Sequence, residues 1–365
     1  MTRLRGQLPA VLLLALGTVL GLALLEAGAR VAGVREERRQ GRLDRDLAGV
    51  KGPGPGSTVT LGQIIRKSDN PRIVYELRPR LDVRFAGGRL TTSDAGFRGR
   101  EVTSPKPPGA YRIVGIGDSY MFGQGVSDDE TYLARLAEPG TGLLPGRRVE
   151  SINLAVPGFN TVMEVELLRE RIARLEPDLL LIEIVGNDLD LPNFLWSASD
   201  PWSYRRSFLV EFVRERLRRR PGRPATPGGL AEAPHEGEGS AATFARDAVQ
   251  VPPRYASMVG LAAFQEAIGK LAATAREHRI PVLALTHGVW FEDAMLEALS
   301  KNGIPVLILR SALRQRARAL GAPDYARSPL ALQPADLHPS ALGHQVIAEE
   351  LAAWLGARLT ERPGP

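Results

Sequence analysis

The chain has 365 residues and contains no cysteine. This absence excludes disulfide bonds, thiolate catalysis and cysteine-ligated metal sites. The five histidines are scattered along the sequence and include no His-x-x-x-His pair, the spacing that places two metal ligands on one face of a helix. We therefore predict neither a metal nor an organic cofactor.

Aromatic residues are missing from the most basic stretch of the chain, Arg214–Arg223. The net charge is +6, which suits nucleic acid, anionic lipid or acidic polysaccharide as a partner. Proteins that bind single-stranded nucleic acid interleave aromatic and basic side chains, so we predict no nucleic-acid partner. We interpret the stretch as a solvated helix end followed by a linker; a patch that contacts a polyanion is the alternative. The sequence identifies no protein partner.

Near its start the sequence contains 18 consecutive residues without a charge, residues 8–25. At 1.5 Å per residue, a helix of this length covers about 27 Å, enough to cross the hydrocarbon layer of a bilayer. We interpret residues 1–30 as a signal anchor that forms one transmembrane helix. A secretory signal cleaved near Ala27–Ala29 is the alternative, which the charge of Glu26 beside these small residues disfavours.

The charges around this stretch give opposing indications of its orientation. Four arginines in the segment 30–39 outnumber the two that precede the stretch, and the positive-inside rule then argues against export. A short basic tail ahead of an apolar stretch is instead typical of an export signal. We follow the second indication and predict a single-pass membrane protein whose main domain is extracytoplasmic, on the periplasmic or cell-surface side.

The rest of the chain divides by composition into four parts. Residues 31–57 are charged and then rich in glycine and proline, which indicates a juxtamembrane linker. Residues 58–110 form a short β-rich lead-in segment, with a hairpin predicted to turn at Gly87–Gly88. The main domain covers residues 111–357, and residues 358–365 form a tail.

The main domain alternates short apolar stretches with amphipathic ones. Five apolar stretches are typical of strands: YRIVGIG from residue 111, VESINLAV from 149, PDLLLIEIV from 177, IPVLALTH from 280 and IPVLILR from 304. Capping boxes at Ser127–Glu130 and Thr161–Glu164 predict helix starts, and a last helix is predicted from about Pro339 to Leu355. The alternation predicts an α/β fold with a parallel sheet covered by helices on both faces.

An insertion at about residues 190–252 follows the third strand. Residues 220–245 within it are of low complexity and are predicted to be disordered. Long insertions in α/β domains often form lids or substrate loops. Four aromatic side chains either line an apolar acyl or sugar site or pack the insertion onto the body of the domain. They are Trp196, Trp202, Tyr204 and Phe208.

Four short segments with polar side chains follow strands or precede a helix in the main domain. They are Gly117–Ser119, Pro157–Asn160, Gly186–Asp188 and Asp336–Pro339. An open parallel sheet places its active site at the carboxyl ends of its strands, so we expect these segments to meet. Each is common on its own, but their joint occurrence in this order indicates one shared site.

These segments supply the side chains that a serine hydrolase needs. A serine hydroxyl becomes nucleophilic when a neighbouring base takes its proton, and imidazole suits that role near neutral pH. We predict Ser119 as the nucleophile and His338 as the base. Asp336 lies two residues before His338, so an extended backbone points both side chains the same way and lets the carboxylate orient the imidazole.

The negative charge that develops on the substrate oxygen requires hydrogen-bond donors. We predict an oxyanion hole formed by the backbone N–H groups of Ser119 and Gly158 and by the side-chain amide of Asn187. Glycine at position 158 allows close backbone approach. We interpret His287 and His344 as structural histidines.

The sequences GDSYMFGQGV, VPGFN, VGND and DLHP resemble the ordered blocks of the SGNH hydrolases, also called GDSL esterases and lipases. The similarity covers roughly residues 111–357 and is interrupted by the insertion. The preceding GFRGRE is similar to the lead-in of exported bacterial members. The resemblance implies a flavodoxin-like, three-layer parallel sheet and gives the same five site residues the roles stated above.

The resemblance further implies a serine esterase. Its substrate would be a carboxylic ester, such as an O-acetyl group of a glycan or a lipid ester, cleaved through an acyl-enzyme at Ser119. An O-acyltransferase that acts on envelope or secreted polysaccharide uses the same intermediate and stays open. A non-catalytic binding module with the same fold is the second alternative. A nucleotide-binding loop is disfavoured, because Tyr120 stands where the third glycine of that motif is needed.

Overall fold

A computed structural model describes residues 13–31, 53–141, 143–192, 207, 209–210, 244–246, 248, 251, 253–287, 293–333 and 336–360. The chain falls into two compact units. The smaller comprises Met1–Asp46 and Phe194–Pro227, and the larger comprises Leu47–Asn193 and Gly228–Pro365. The run Arg214–Arg223, most of the linker 31–57 and the four aromatic residues Trp196, Trp202, Tyr204 and Phe208 lie outside the described residues.

One apolar helix, α1 (Leu13–Val31), makes up most of the described part of the smaller unit. Its 19 residues are long and apolar enough to cross a membrane, a test that signal sequences near an N-terminus also pass. Near its end, Glu26 accepts hydrogen bonds from the hydroxyl of Ser207 (2.8 Å) and the backbone N–H of Leu209 (2.9 Å). The insertion therefore contacts α1 within this unit.

The larger unit begins with the lead-in segment. Its elements are β1 (Thr58–Val59), α2 (Leu61–Ile64), β2 (Ile65–Lys67), β3 (Tyr75–Leu77), β4 (Asp82–Phe85) and β5 (Gly88–Thr91). β2 pairs antiparallel with β3, while β4 pairs antiparallel with β5 and parallel with β1. The predicted hairpin is present. Its turn lies at Ala86–Gly87, because Gly88 already pairs with Phe85 and Gly87 adopts a φ of 100°.

A five-stranded parallel sheet forms the centre of the larger unit, as the alternating sequence predicts. The remaining strands among the described residues are β6 (Tyr111–Ile116), β7 (Val149–Asn153), β8 (Leu179–Glu183), β9 (Leu191–Pro192), β10 (Phe244–Ala245), β11 (Val282–Thr286), β12 (Val306–Ile308), β13 (Ala331–Gln333) and β14 (Asp336–Pro339). The sheet order is β12-β11-β8-β6-β7, which is the flavodoxin-like order. Every residue of β8 is buried, as a parallel strand covered on both faces requires.

Helices lie on both sides of this sheet. They are α3 (Ser119–Phe122), α4 (Tyr132–Leu136), α5 (Thr161–Leu175), α6 (Gly260–His278), α7 (Asp293–Lys301), α8 (Arg310–Ala319) and α9 (Ala341–Thr360). α6 contacts α5 and α7, whereas α9 contacts α4 and α8. These two groups form the outer layers of a three-layer α/β domain. The last helix starts after Pro339, because that residue ends β14.

The start of α5 differs from its prediction. The sequence predicts Thr161 as the N-cap, but Thr161 is the first helical residue and Asn160 is the cap. The Asn160 side chain accepts a hydrogen bond from the backbone N–H of Met163 at 3.2 Å. Asparagine caps a helix at least as well as threonine, and Glu164, the expected partner in a capping box, is buried instead.

The insertion is also partly at variance with its prediction. Residues 220–243 of the stretch predicted to be disordered lie outside the described part. The last two residues of that stretch, Phe244 and Ala245, form β10 and pair with Pro192 and Leu191 of β9. Backbone pairing thus joins the two ends of the insertion.

Candidate active site

Ser119 stands at the carboxyl end of β6, where the chain turns into α3. Asp118 caps this short helix, since its Oδ1 accepts a hydrogen bond from the backbone N–H of Tyr120 at 3.0 Å. Gly117 leaves no room for a side chain: an added Cβ would lie 2.8 Å from the Cβ of Met121. The sharp turn presents the Ser119 hydroxyl beyond the strand end, where the residue is 5% exposed.

A continuous chain of hydrogen bonds joins Ser119 to two residues of β14. The Ser119 Oγ lies 2.8 Å from Nε2 of His338, and Nδ1 of that imidazole lies 2.6 Å from Oδ1 of Asp336. A carboxylate only accepts hydrogen bonds, so Nδ1 carries the proton and Nε2 accepts from the serine hydroxyl. The structure therefore brings together three residues that the sequence analysis expected in one site. Ser119 and His338 are 219 positions apart in the sequence.

Asn187 is tied to the turn that carries Ser119. It lies in a 3₁₀ turn, Gly186–Leu189, directly after β8. Its Nδ2 donates a hydrogen bond to Oδ2 of Asp118 at 3.0 Å, which leaves the second N–H of the amide for another acceptor. The third strand end is thus joined to the first by an amide whose position suits an oxyanion donor.

Gly158 lies between β7 and α5 with a φ of +78°, a backbone conformation that favours glycine. The backbone N–H of Val156 donates to the carbonyl of Gly117 at 3.1 Å, so this loop lies beside the Ser119 turn. Within the described residues, neither the Ser119 N–H nor the Gly158 N–H donates a hydrogen bond. Both are therefore left for a ligand.

Buried carboxyl groups surround the site. Burial raises the pKa of Glu164 and of Asp188 well above their ordinary values, and neighbouring carboxylates, Asp118 among them, raise both further. The raised pKa values favour the neutral acids, which limits negative charge near the expected oxyanion. Asp188 also closes its turn, since Oδ2 accepts from the backbone N–H of Val185 at 2.6 Å.

Tyr120 lies between two imidazole rings. Its ring centroid is 4.7 Å from that of His338 and 4.9 Å from that of His287. His287 is buried and its Nε2 lies 2.6 Å from Oε1 of Glu183, while Oε2 of the same carboxylate accepts a hydrogen bond from the hydroxyl of Tyr132 at 3.0 Å. The sequence pattern did not single out Tyr120 or Glu183 as neighbours of the site, although Glu183 is the one charged residue of β8.

His344 lies on α9 and is fully buried. Burial lowers the pKa of His344 well below its ordinary value, and the positive charge of Arg98 lowers this pKa further. The neutral ring accepts a hydrogen bond at Nδ1 from the backbone N–H of Tyr132, at 3.3 Å. This geometry fits a structural role that fastens α9 to α4.

Arg98, which the sequence analysis also missed, inserts from the lead-in segment beneath α3. Its guanidinium donates to the carbonyl oxygens of Phe122 (2.5 Å), Gly123 (2.7 Å) and Val126 (2.6 Å). It also pairs with Asp128 at 2.9 Å. A cation at the carboxyl end of a helix satisfies carbonyls that have no partner in the helix, so Arg98 supports the segment that follows Ser119.

Residues 116–346 match the GDSL-like Lipase/Acylhydrolase family, well over half of the 365 residues. The chain belongs to this family. The matched region contains all five residues of the candidate site, and the predicted SGNH fold is confirmed. In the part of this GDSL-like hydrolase that the structure describes, no group of three or more histidine, aspartate or glutamate side chains is arranged to hold a metal ion.

Solved structures similar to this GDSL-like hydrolase are of low identity. LAE5, an α/β hydrolase from the metagenome of Lake Arreo, is 18% identical over 67% of this chain and 95% of its own, with a TM-score of 0.39. A lipase/acylhydrolase from Enterococcus faecalis is 16% identical over 68% and 96%, with a TM-score of 0.38. A single-residue variant of Axe2, an acetyl xylan esterase from Geobacillus stearothermophilus, is 14% identical over 67% and 94%, with a TM-score of 0.38. A comparison with curated proteins finds no match.

Proposed function

We propose that this GDSL-like hydrolase is a serine esterase that cleaves a carboxylic ester through an acyl-enzyme at Ser119. The observation that carries the proposal is the hydrogen-bond chain from Asp336 through His338 to the Ser119 hydroxyl. It joins a carboxylate, a base and a nucleophile in the order that ester hydrolysis requires. Such a chain has no evident use in a protein that only binds its ligand.

In the first half-reaction, His338 Nε2 takes the proton of Ser119 while Oγ forms a bond to the ester carbonyl carbon. The carbonyl π electrons move to oxygen, and the backbone N–H groups of Ser119 and Gly158 and the amide of Asn187 donate to that oxygen. When the carbonyl re-forms, the ester C–O bond breaks. The imidazolium returns its proton to the departing alcohol, and the acyl group stays on Ser119.

In the second half-reaction, a water molecule replaces the alcohol. His338 takes a proton from that water as its oxygen attacks the acyl carbon, and the bond to Ser119 breaks when the second tetrahedral intermediate collapses. The proton returns to Oγ, the carboxylic acid leaves, and the enzyme is restored. Asp336 stabilises the imidazolium in both halves.

The substrate class that we propose is an O-acetyl group of a glycan or a lipid ester. Purified enzyme would be assayed with p-nitrophenyl acetate, butyrate and decanoate, and with acetylated oligosaccharides. Release of acid in buffer alone is the expected result. Turnover that occurs only when a sugar hydroxyl is added would instead identify an O-acyltransferase, since the same acyl-enzyme would then be consumed by the sugar.

Replacement of Asn187 by alanine should lower kcat for ester hydrolysis by roughly 10²–10³, as the loss of one oxyanion donor does. KM should change little, because the donor contacts the oxygen most strongly when it is negatively charged. Steady-state kinetics on p-nitrophenyl butyrate would measure the effect, with Asn302→Ala, at a half-buried position just after α7, as a matched change outside the site. A fall of less than threefold would remove Asn187 from the oxyanion hole.

We also propose that α1 anchors the protein in a membrane with the catalytic domain on the extracytoplasmic side. Retention of α1 is supported by the hydrogen bonds of Glu26 to Ser207 and Leu209. Cleavage near Ala27–Ala29 would remove Glu26 and leave those donors without their acceptor.

Deletion of residues 1–31 should move the protein from the membrane pellet to the soluble fraction, because the apolar helix is what holds it in lipid. Fractionation followed by immunoblotting would measure the distribution. A chain that lacks only residues 1–6 serves as the control and should still pellet. The anchor would be refuted if the variant that lacks residues 1–31 still pelleted with the membranes and detergent released it from them.

A further inference from the structure

Tyr75, on β3 of the lead-in segment, reaches the loop that carries Gly158. Its side chain is fully buried, and its hydroxyl donates a hydrogen bond to the carbonyl oxygen of Pro157 at 2.8 Å, across 82 positions of sequence. Its ring meets that of Phe159 edge to face, with the centroids 5.1 Å apart. One side chain thus contacts the residues on both sides of Gly158.

The Pro157 carbonyl and the Gly158 N–H belong to the same peptide group. A trans peptide is planar, and its C=O and N–H bonds point in opposite directions. A hydrogen bond that fixes the direction of the Pro157 carbonyl therefore also fixes the direction of the Gly158 N–H. Because the carbonyl points at Tyr75, the N–H points to the opposite side of the loop.

This peptide needs an external restraint. Gly158 has a positive φ and no side chain, so its own backbone tolerates rotation of the peptide plane. The Gly158 N–H has no acceptor within the described residues to hold it. Close packing limits the loop further: a Cβ on Gly158 would lie 3.0 Å from the Tyr75 hydroxyl and 3.2 Å from Cγ of Pro192.

Tyr75 is itself held in place from two sides. β3 pairs with β2, and Glu76 on β3 forms ion pairs with Arg66 of β2 (2.9 Å) and Arg171 of α5 (3.1 Å). Helix α5 begins just after the Gly158 loop. Burial raises the pKa of the Tyr75 hydroxyl well above its ordinary value, so the group remains a protonated donor throughout the working pH range.

We propose that Tyr75 is a positioning residue that holds the Pro157–Gly158 peptide with its N–H directed at the oxyanion. The inference rests on the proposed esterase activity and extends it: the lead-in segment, which lies before the region that matches the family, completes the oxyanion hole. Tyr75 does not contact the substrate. It acts through the peptide that it orients.

The test is Tyr75→Phe in the full chain, which removes the hydroxyl and keeps the ring. We expect kcat for p-nitrophenyl butyrate to fall about 10- to 100-fold, a decrease no larger than that caused by removing one oxyanion donor completely. KM should change by less than about twofold. Activity is counted per active site by titration with a fluorophosphonate, so that any unfolded fraction does not enter kcat. Tyr111→Phe, at the amino end of β6, is the matched control and should keep wild-type kcat.

A second measurement separates orientation of the oxyanion donor from a general loss of structure. A phenylboronic acid forms a tetrahedral adduct with the serine, and its affinity should weaken by the same factor as kcat/KM in Tyr75→Phe. Unchanged boronate affinity, a loss confined to KM, or an equal loss in Tyr111→Phe would each overturn the inference. If instead the wild-type protein cleaves no ester, or Ser119→Ala cleaves it equally well, the proposed function itself is wrong and the result does not depend on Tyr75.

Discussion

Replacement of Ser119 by alanine is expected to lower ester hydrolysis by about 10⁴–10⁶, because the acyl-enzyme can no longer form. The remaining rate would come from substrate binding and the oxyanion donors. Hydrolysis of p-nitrophenyl butyrate measures the rate, and labelling with a fluorophosphonate followed by peptide mapping identifies the modified residue. The wild-type protein should carry the label on Ser119 and the variant should carry none.

Ser300→Ala, at an exposed position of α7, is the matched control for this change and should retain wild-type activity and labelling. Far-ultraviolet circular dichroism should show the same fold in all three proteins, since the Ser119 hydroxyl contributes to the site and not to the core. Turnover by Ser119→Ala within tenfold of the wild-type rate would show that Ser119 is not the nucleophile.

Asp336→Asn is expected to lower kcat by about 10³–10⁴ with little change in the fold. The carboxylate holds the proton on Nδ1 of His338 and stabilises the imidazolium. An asparagine amide that donates to Nδ1 instead places the proton on Nε2, where the Ser119 hydroxyl needs an acceptor. The Asp336 Oδ1 that accepts from Nδ1 also accepts a hydrogen bond from the backbone N–H of His338 at 3.0 Å, a bond that is lost when the amide nitrogen takes the place of that oxygen.

Kinetics of Asp336→Asn measured from pH 6 to 9 would show whether the loss persists at every pH, as a wrong tautomer requires. Asp129→Asn, at an exposed position of the 3₁₀ turn Asp128–Glu130, is the control for a change of one negative charge and should leave kcat unchanged. A loss of less than tenfold in Asp336→Asn would show that the carboxylate does not orient the base.

The fold class could be predicted from the alternation of apolar and amphipathic stretches. The residues of the candidate site could be predicted from the polar segments beside those stretches. Apolar stretches such as PDLLLIEIV predict buried parallel strands, because both faces of a parallel sheet are covered by helices. The structure agrees, since every residue of β8 is buried. Short polar segments after such strands share one edge of the sheet for topological reasons. The places of Ser119 and Asn187 after strands and of His338 before the last helix therefore predicted that these residues meet.

The predictions that were wrong concern places where two local backbone structures compete, namely the N-cap of α5 and the turn of the β4–β5 hairpin. Thr161–Glu164 has the pattern of a capping box, but Asn160 beside it is an equally good cap, and the burial of Glu164 decided between them. The turn of the β4–β5 hairpin shifted by one residue because strand pairing reaches Gly88. Periodicity and propensity do not resolve such choices, since the competing forms differ by little free energy until tertiary contacts form.

By itself the sequence determined the order of the five sheet strands along the chain, the apolar N-terminal helix and the identity of the hydroxyl, imidazole and carboxylate of the site. Only the tertiary structure decided what supports them: Tyr75 on the Pro157 carbonyl and Arg98 on the carbonyls after α3. The physical reason is that these bonds end on backbone oxygens. A backbone carbonyl is the same group at every residue, so no side-chain pattern marks which one a distant tyrosine or arginine will reach.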